Sequence, residues 1–429
     1  MTIYAKDVKF EPYWWEAAPR PELPVQPLPQ SADVVVVGSG YTGLNAALVL
    51  AEGGADVLVL EADKLGFAAS SRNGGAIGAT LRYSFATLID KVGLERATEM
   101  YKATIASREF VFNLVESRGL QCDLVRQGRF YGAHKREDYD SLQKDMEKRK
   151  QHVGSEAVMV SREEQTKYVG TDRYFGGRFQ PEDGSLHPGR YHLELVRAAT
   201  GAGAKVLDQT RVTGVSRTGA DFEVQTSRGA VRARNVIVAT NAYTGKEFKW
   251  FRRKLLPIQS QIIATEPLSP ERLNPLIPSR TQLGDTCKLH NYYRSSPDRT
   301  RILFGGRSGA AQVNDFAKSG LALYRRMVEL FPSLEGVKIS HSWGGFIAFS
   351  FDQFPHMSEH EGVHYIGGCC GSGVAMMSFL GHQTGRKVLG QDFEPAFDRP
   401  FKSQILYNGD PWFMPAIITA LELRDRFRI

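Results

Sequence analysis

A glycine triplet spaced GxGxxG, Gly38-Ser39-Gly40-Tyr41-Thr42-Gly43, is followed by an acid at Glu61. These residue types suit one task, holding a dinucleotide. Gly38 permits a tight turn, Gly40 lets a pyrophosphate approach the backbone, and Gly43 lets helix and strand pack closely. The helix start that follows turns its unbonded N–H groups and positive dipole end toward the phosphates. Glu61 accepts hydrogen bonds from ribose hydroxyls and disfavours a 2′-phosphate. Soon after comes Gly66-Phe67-Ala68-Ala69-Ser70-Ser71-Arg72-Asn73-Gly74-Gly75, small and polar with little to bury. A loop of this kind presses its backbone against a flat cofactor and donates several N–H groups.

Such chemistry needs elements that hold it, and the pattern supplies them. Asp33 to Val37 becomes a β-branched apolar run after its first residue, as in a buried parallel strand. A helix follows from about Thr42 to Glu52, stopped by Gly53-Gly54, and a second strand runs from Asp56 to Leu60. Together they make a βαβ unit with Glu61 at its exit. Further helices are expected over 89–116, 136–151, 191–200 and 317–331. Strands are expected at 205–207, 211–215, 222–225, 231–238, 257–265 and 301–305, and a strand-turn-helix at 363–390. The first 30 residues, rich in proline and aromatics, read as an extended arm that packs through Tyr13, Trp14 and Trp15.

Bulk properties narrow the classes. The chain has 429 residues and a net charge of +7, with its basic residues scattered. The densest charged stretch, Lys144 to Lys150, mixes signs as a solvated helix face does. Neither feature makes a nucleic-acid arm. No run nears the ~20 apolar residues of a membrane span, and the N-terminus lacks the apolar core of a signal peptide. The cysteines, Cys122, Cys287, Cys369 and Cys370, have no metal-clamp or redox spacing. A cytoplasmic location is the expectation; oligomeric state stays open.

With the Ser70–Gly75 loop spelling SxRNxG after GxGxxG…E, the sequence resembles the D-amino-acid oxidase-like superfamily of FAD-dependent oxidoreductases. Its likeness is greatest to the gamma-glutamylputrescine oxidoreductase-like branch. Asp183 to Pro188, Val236 to Ala242, Trp343-Gly344-Gly345 with Asp352 and Pro355, and Gly367 to Met376 match family segments in order. Tyr13-Trp14-Trp15 and Pro411-Trp412-Phe413 add to the likeness.

The resemblance implies an α/β fold, a Rossmann-type FAD-binding domain with a glutathione-reductase-like sheet, interleaved with an α+β substrate domain. The FAD-binding parts are expected at 32–110, 155–245 and 335–395. The substrate-binding parts are expected at 111–154 and 246–334, with an arm at 1–31 and a tail at 396–429. The implied FAD contacts are Gly38, Gly40, Tyr41, Thr42, Gly43, Glu61 and Ala62 from the βαβ unit, and Ser70, Ser71, Arg72, Asn73, Gly74 and Gly75 from the loop. Val212, Ala239, Thr240, Trp343, Gly345, Gly371, Ser372, Gly373, Val374, Ala375 and Met376 complete them.

Departures from the family sharpen the expectation. Relatives that attach FAD covalently carry a cysteine in the segment matching Trp343–Pro355; none stands here, so FAD is expected to be non-covalent. Relatives that clamp an α-carboxylate place a lysine where this chain has Ala375 and an arginine near Ile77 and Thr80, although Arg82 is close. The lysine that assists oxygen reduction in some relatives is matched by Leu303, which leaves the acceptor as oxygen or another carrier.

Tyr292, Arg307 and Gln261 are the candidate catalytic side chains, with Tyr293 and Gln259 near them; Gln259 and Gln261 share one strand face. His187 reads as a capping-loop histidine, and no His–Asp pair stands out. The implied activity is oxidation of a neutral amine by hydride transfer to flavin N5, giving an imine that hydrolyses. The substrate is expected to be of gamma-glutamylputrescine type or an N-substituted amine or amino acid. A 2-hydroxy-acid dehydrogenase and a non-catalytic subunit of a flavoprotein complex are the alternatives.

Overall fold

Two sheets organise the molecule. The computed structural model describes residues 2–307 and 315–427. In the first sheet, the valine run forms the strand Ser31–Val37, parallel to Val57–Leu60 on one side and to Gly229–Val238 on the other. Its side chains alternate between two cores. Val34 and Val36 join the helices on one face, and Val35 and Val37 join the apolar cluster on the other. Both faces are covered, which is why the run carries no polar alternation. Lys205–Leu207 extends the parallel set past Val57–Leu60, and Val212–Thr218 and Asp221–Thr226 extend it antiparallel beyond Gly229–Val238. Val363–Gly367 pairs in parallel with the end of Gly229–Val238, Ile237 opposite His364.

Among the described residues the second sheet has nine strands. Their order is Tyr4–Lys9, Ile339–Ser350, Leu255–Thr265, Ile302–Gly306, Tyr292–Ser295, Gln282–Asp285, Arg129–Gly132, Gly177–Gln180 and Val158–Val160. One face carries a core of Phe130, Leu283, Tyr293 and Phe304, to which the helix Phe316–Leu330 adds Leu323 and Met327. The other face looks toward the glycine turn of the first sheet.

Val158–Val160, Gly177–Gln180 and Ile339–Ser350 belong to the nine-stranded sheet, so the stretches 155–245 and 335–395, expected in the dinucleotide-binding part, contribute strands to both sheets. The arm over 1–31 is not merely extended: Tyr4–Lys9 pairs in parallel with Ile339–Ser350, and Trp14–Ala17 is a short helix with Trp14 fully buried. The tail from 396 packs down through Phe397, Phe401 and Tyr407. The helix expected over 89–116 is two helices, Phe85–Val92 and Leu94–Ser117, broken at Gly93 with φ +81°. That backbone conformation ends a helix at little cost only for glycine.

Candidate active site

A cavity of about 430 Å³ begins at the glycine turn. Gly38 has φ +100°, and a Cβ at Gly43 would sit 1.9 Å from the Gly38 carbonyl oxygen, so the helix Tyr41–Glu52 starts pressed against the strand before it. Ser70 Oγ accepts the Tyr41 N–H at 3.0 Å, tying the SxRNxG loop to this helix start. Glu61 lines the cavity and takes the Ser39 N–H at 2.9 Å and the Ser39 hydroxyl at 2.7 Å on Oε2. Behind the turn, His192 Nε2 donates to the Ser39 carbonyl at 2.8 Å, and Arg20 lies 3.4 Å from its Nδ1. Burial pushes the His192 pKa down to about 4, so the ring is neutral and can donate through one nitrogen and accept through the other.

A second helix start faces the same cavity. Gly371, Gly373 and Val374 line it, and Gly373–Val388 runs back from there. A Cβ at Gly371 or Gly373 would meet no atom within 4 Å. The backbone is thus left bare toward open space, as a flat ring seated on it requires. Ser372 faces elsewhere: its Oγ donates to the Thr80 carbonyl at 2.7 Å. The floor between the two helix starts is the loop Gly66–Gly75, held from three sides. Trp14 Nε1 donates to the Asn73 carbonyl at 2.8 Å, Trp15 Nε1 to Ser71 Oγ at 2.8 Å, and Trp343 Nε1 to the Arg72 carbonyl at 2.9 Å. Asn73 Oδ1 accepts the Gly75 N–H at 2.8 Å, and the Arg72 guanidinium lies 4.8 Å from the Trp15 ring centre.

The opposite wall is one face of the nine-stranded sheet. Strand pairing sets Tyr131 opposite Gly284, Gly284 opposite Tyr292, Tyr292 opposite Gly305, Gly305 opposite Ile262, and Ile262 opposite Trp343. Opposed residues share a face, as do their neighbours two positions along. Arg129 opposite Gln282 and Ser260 opposite Gly345 therefore stand on that face too. Arg129, Gln282, Tyr292, Ser260, Ile262, Trp343 and Gly345 line the cavity, with His290 beside them. The Tyr292 hydroxyl shares a 2.9 Å hydrogen bond with Ser260 Oγ, and burial pushes its pKa up to about 12. His290 Nδ1 lies 2.8 Å from the Asp285 carbonyl oxygen; burial is the main cause that lowers its pKa.

The expected residues divide cleanly. Gly38, Gly40, Tyr41, Thr42, Glu61, Ala62, Ser70, Arg72, Asn73, Gly74, Val212, Ala239, Thr240, Trp343, Gly345, Gly371, Gly373, Val374 and Tyr292 all line this one cavity. Gly43, Ser71, Gly75, Ser372, Ala375 and Met376 stand behind it; Ala375 and Met376 are core residues. Gln261 is one position out of phase with the cavity face. It is 1% exposed and donates to the Phe316 carbonyl at 3.0 Å and to Ser342 Oγ at 2.9 Å. Gln259 shares that far face. Arg307 lies past the end of its strand, outside the cavity lining; its carbonyl accepts from Arg326. Ser260, Gln282, His290, Arg129, Asn241 and Tyr243 line the cavity without having been singled out. The alternation that marks Gln259 and Gln261 as one face marks Ser260 and Ile262 as the other, but does not say which is inward.

One His–Asp pair, His356 Nε2 to Asp352 Oδ1 at 2.8 Å, is buried against Phe401 and does not line the cavity; His290, which does, has its Nδ1 3.9 Å from Asp285 Oδ1. His187 caps the helix Pro188–Gly201, accepting the Arg190 N–H at 3.1 Å. Among the described residues no helix is long and apolar enough to cross a membrane, and no group of acids, histidines and cysteines is placed to hold a metal.

Residues 33–386 match the DAO family model, described as FAD dependent oxidoreductase. The chain is 32% identical over 388 residues to the probable oxidoreductase OrdL of Haemophilus influenzae, covering 89% of this chain and 88% of that one. It is 29% identical over 364 residues to gamma-glutamylputrescine oxidoreductase of Escherichia coli, with 84% of each chain covered. Among solved structures, glycine oxidase from Geobacillus kaustophilus superposes with a TM-score of 0.70 at 20% identity, over 88% of this chain and 99% of that one.

Proposed function

Because the chain belongs to the DAO family of FAD-dependent oxidoreductases, we propose that it oxidises the C–N bond of an amine whose carboxylate, if it has one, is remote from the reacting carbon. The observation that carries this reading is the single cavity joining the Glu61 glycine turn to the polar sheet face at Tyr292. Glu61, the two helix starts and the Gly66–Gly75 loop would hold FAD, and bare backbone at Gly371 and Gly373 leaves room for its ring. Bound there, FAD supplies a two-electron acceptor for the carbon beside the amine nitrogen.

The chain's own part is to position and to exclude water. Tyr292, protonated up to about pH 12, keeps a hydroxyl at the wall, and Trp343 and Ile262 make the wall apolar beside it. Among the described residues the acids lining the cavity are Glu61, Asp63 and Glu247. None stands on the sheet face that carries Tyr292, so nothing there favours an ammonium over a neutral amine. Where relatives that clamp an α-carboxylate carry lysine and arginine, Ala375 and Ile77 are packed into the core, and Thr80 Oγ1 is 2.8 Å from Ser372 Oγ. An α-carboxylate would be left without its cation, an unfavourable burial.

The FAD is proposed to be non-covalent. Cys369 lines the cavity, but its sulfur turns toward the Ala348 carbonyl at 3.7 Å. Acid precipitation should release all the flavin into the supernatant. Anaerobic mixing of the holoenzyme with acylated polyamines, N-methyl amino acids and 2-hydroxy acids tests the substrate class. Bleaching by a long amine faster than by sarcosine, glycine or lactate is expected, and the reverse order refutes the reading. Reoxidation by oxygen against that by an artificial dye then identifies the acceptor, which Leu303, buried and uncharged, leaves open.

A further inference from the structure

We propose that Arg129 sets the substrate specificity of this cavity, its guanidinium receiving a carboxylate carried several bonds from the amine that is oxidised. This rests on the amine-oxidising reading above and names the part of the substrate that the chain reads.

Arg129 begins the strand Arg129–Gly132, whose alternation puts Phe130 in the core and Arg129 and Tyr131 on the cavity side. Among the described residues its guanidinium makes no hydrogen bond or ion pair; it lies 5.5 Å from the centroid of the Tyr131 ring, and its charge bears on the buried carboxylate of Asp183. Two acids lie nearby, and each has other partners at hydrogen-bond or ion-pair distance. Asp285, 2% exposed, accepts from Asn291 N at 3.0 Å, Asn291 Nδ2 at 2.7 Å and the Tyr174 hydroxyl at 3.3 Å. Asp183, also 2% exposed, pairs with Arg108 at 3.4 Å; burial raises its pKa, and the charges of Arg129 and Arg108 oppose that. A half-buried guanidinium in a cavity, with no carboxylate at ion-pair distance, is suited to a planar anion that takes two parallel hydrogen bonds. Positive charge accumulates here: Arg82 and Arg129 both bear on His290 and on Tyr131.

The sheet also sets the distance. Arg129 and Tyr292 lie on strands separated by Gln282–Asp285 and are offset by two residues along it. With about 4.8 Å between strands and 3.3 Å per residue, their Cα atoms are roughly 12 Å apart. An arginine side chain closes part of that gap but not all, so a carboxylate held by Arg129 stands several bonds from an amine held beside Tyr292. Arg307, a candidate catalytic side chain from the sequence, is outside the cavity lining.

The test compares Arg129→Gln and Arg129→Lys with the wild-type holoenzyme on two amines of equal length, gamma-glutamylputrescine, which carries a distal carboxylate, and its α-carboxamide, which does not. Glutarate, titrated against the visible flavin spectrum, reports anion binding without turnover. Arg129→Gln should lower kcat/KM for the acidic amine about a hundredfold, chiefly through KM, and for the neutral amine less than threefold. Its Kd for glutarate should rise at least tenfold, with part of each loss restored by Arg129→Lys. Equal losses on both amines, or unchanged glutarate binding, overturn the proposal. If neither amine bleaches the wild-type flavin, the amine reading fails, while the glutarate titration still decides whether Arg129 is an anion site.

Discussion

At the scale of single residues, Glu61 shows how one carboxylate serves both turn and ligand. Its Oε2 is engaged by the backbone and hydroxyl of Ser39, while Oε1 takes the Asp63 N–H at 3.2 Å, so the group is aimed before any ribose arrives. Glu61→Gln keeps the shape but removes the charge and one acceptor, turning an N–H₂ toward donors. Charge-assisted hydrogen bonds contribute about 1.5–3 kcal/mol each. FAD affinity is therefore expected to fall tenfold or more with the flavin spectrum unchanged, as read by titrating apoprotein; an unchanged Kd would remove the ribose role. Tyr292 was a candidate because it lies where the resembled family presents side chains to substrate. Arg129, buried in an ordinary-looking QGRFYG segment, was not, because nothing local distinguishes a cavity-facing arginine from a solvated one.

At the scale of elements, the convergence of two helix starts on one cavity comes from how their bodies cross. A Cβ at Gly381 would lie 2.1 Å from the Thr42 carbonyl oxygen, and one at Gly385 would lie 2.3 Å from Val49 Cγ1. Glycines one turn apart on Gly373–Val388 thus admit Tyr41–Glu52 closely, at the backbone of Thr42 and at the side chain of Val49. Gly381→Leu must push the helices apart, a typical overpacking cost of 1–3 kcal/mol or more. We expect Tm to drop by several degrees and flavin content to drop with it, because the helix starts no longer meet; retention of full flavin content would separate packing from cofactor binding. Nothing in the FLGHQTGR stretch announces this. Its small residues read as ordinary helix positions until the partner helix is known.

At the scale of the whole molecule, the arm, the two sheets and the tail are tied together by buried polar groups, and these make stability depend on pH. Burial holds the His192 pKa at about 4 and His187 at about 3, both below the ordinary 6.5. Between pH 6.5 and 4 the unfolded chain takes up protons at these rings and the folded chain does not. Acid therefore favours unfolding, by at most about 1.4 kcal/mol per pH unit for each ring. Tm should be level near pH 7–8 and fall steadily from pH 6.5 to 4.5, with FAD release in step, since His192 braces the Ser39 carbonyl of the glycine turn. His192→Gln, neutral throughout, should show a shallower fall; an identical slope would place the dependence elsewhere.

Local signals carried far where chemistry and backbone conformation coincide. GxGxxG needs glycine at fixed offsets, a doubly buried strand needs an unbroken apolar run, and the Ser70–Gly75 loop needs small residues whatever surrounds it, so 33–75 could be read residue by residue. The strand-turn-helix at the far end of the chain was legible for the same reason: Val363–Gly367 and Gly373–Val388 flank the glycine turn that was read there. What lay beyond that reach depends on partners distant in the chain. Tyr4–Lys9 acquires a strand only from Ile339–Ser350, and Trp14 acquires a role only from Asn73. The inward face of Leu255–Thr265 follows from Gly305 and Trp343, since a period of two fixes which residues share a face but leaves the choice of face to whatever covers the sheet. Gln261 and Ser260 exchange places on that choice, and Arg129 joins the cavity through it.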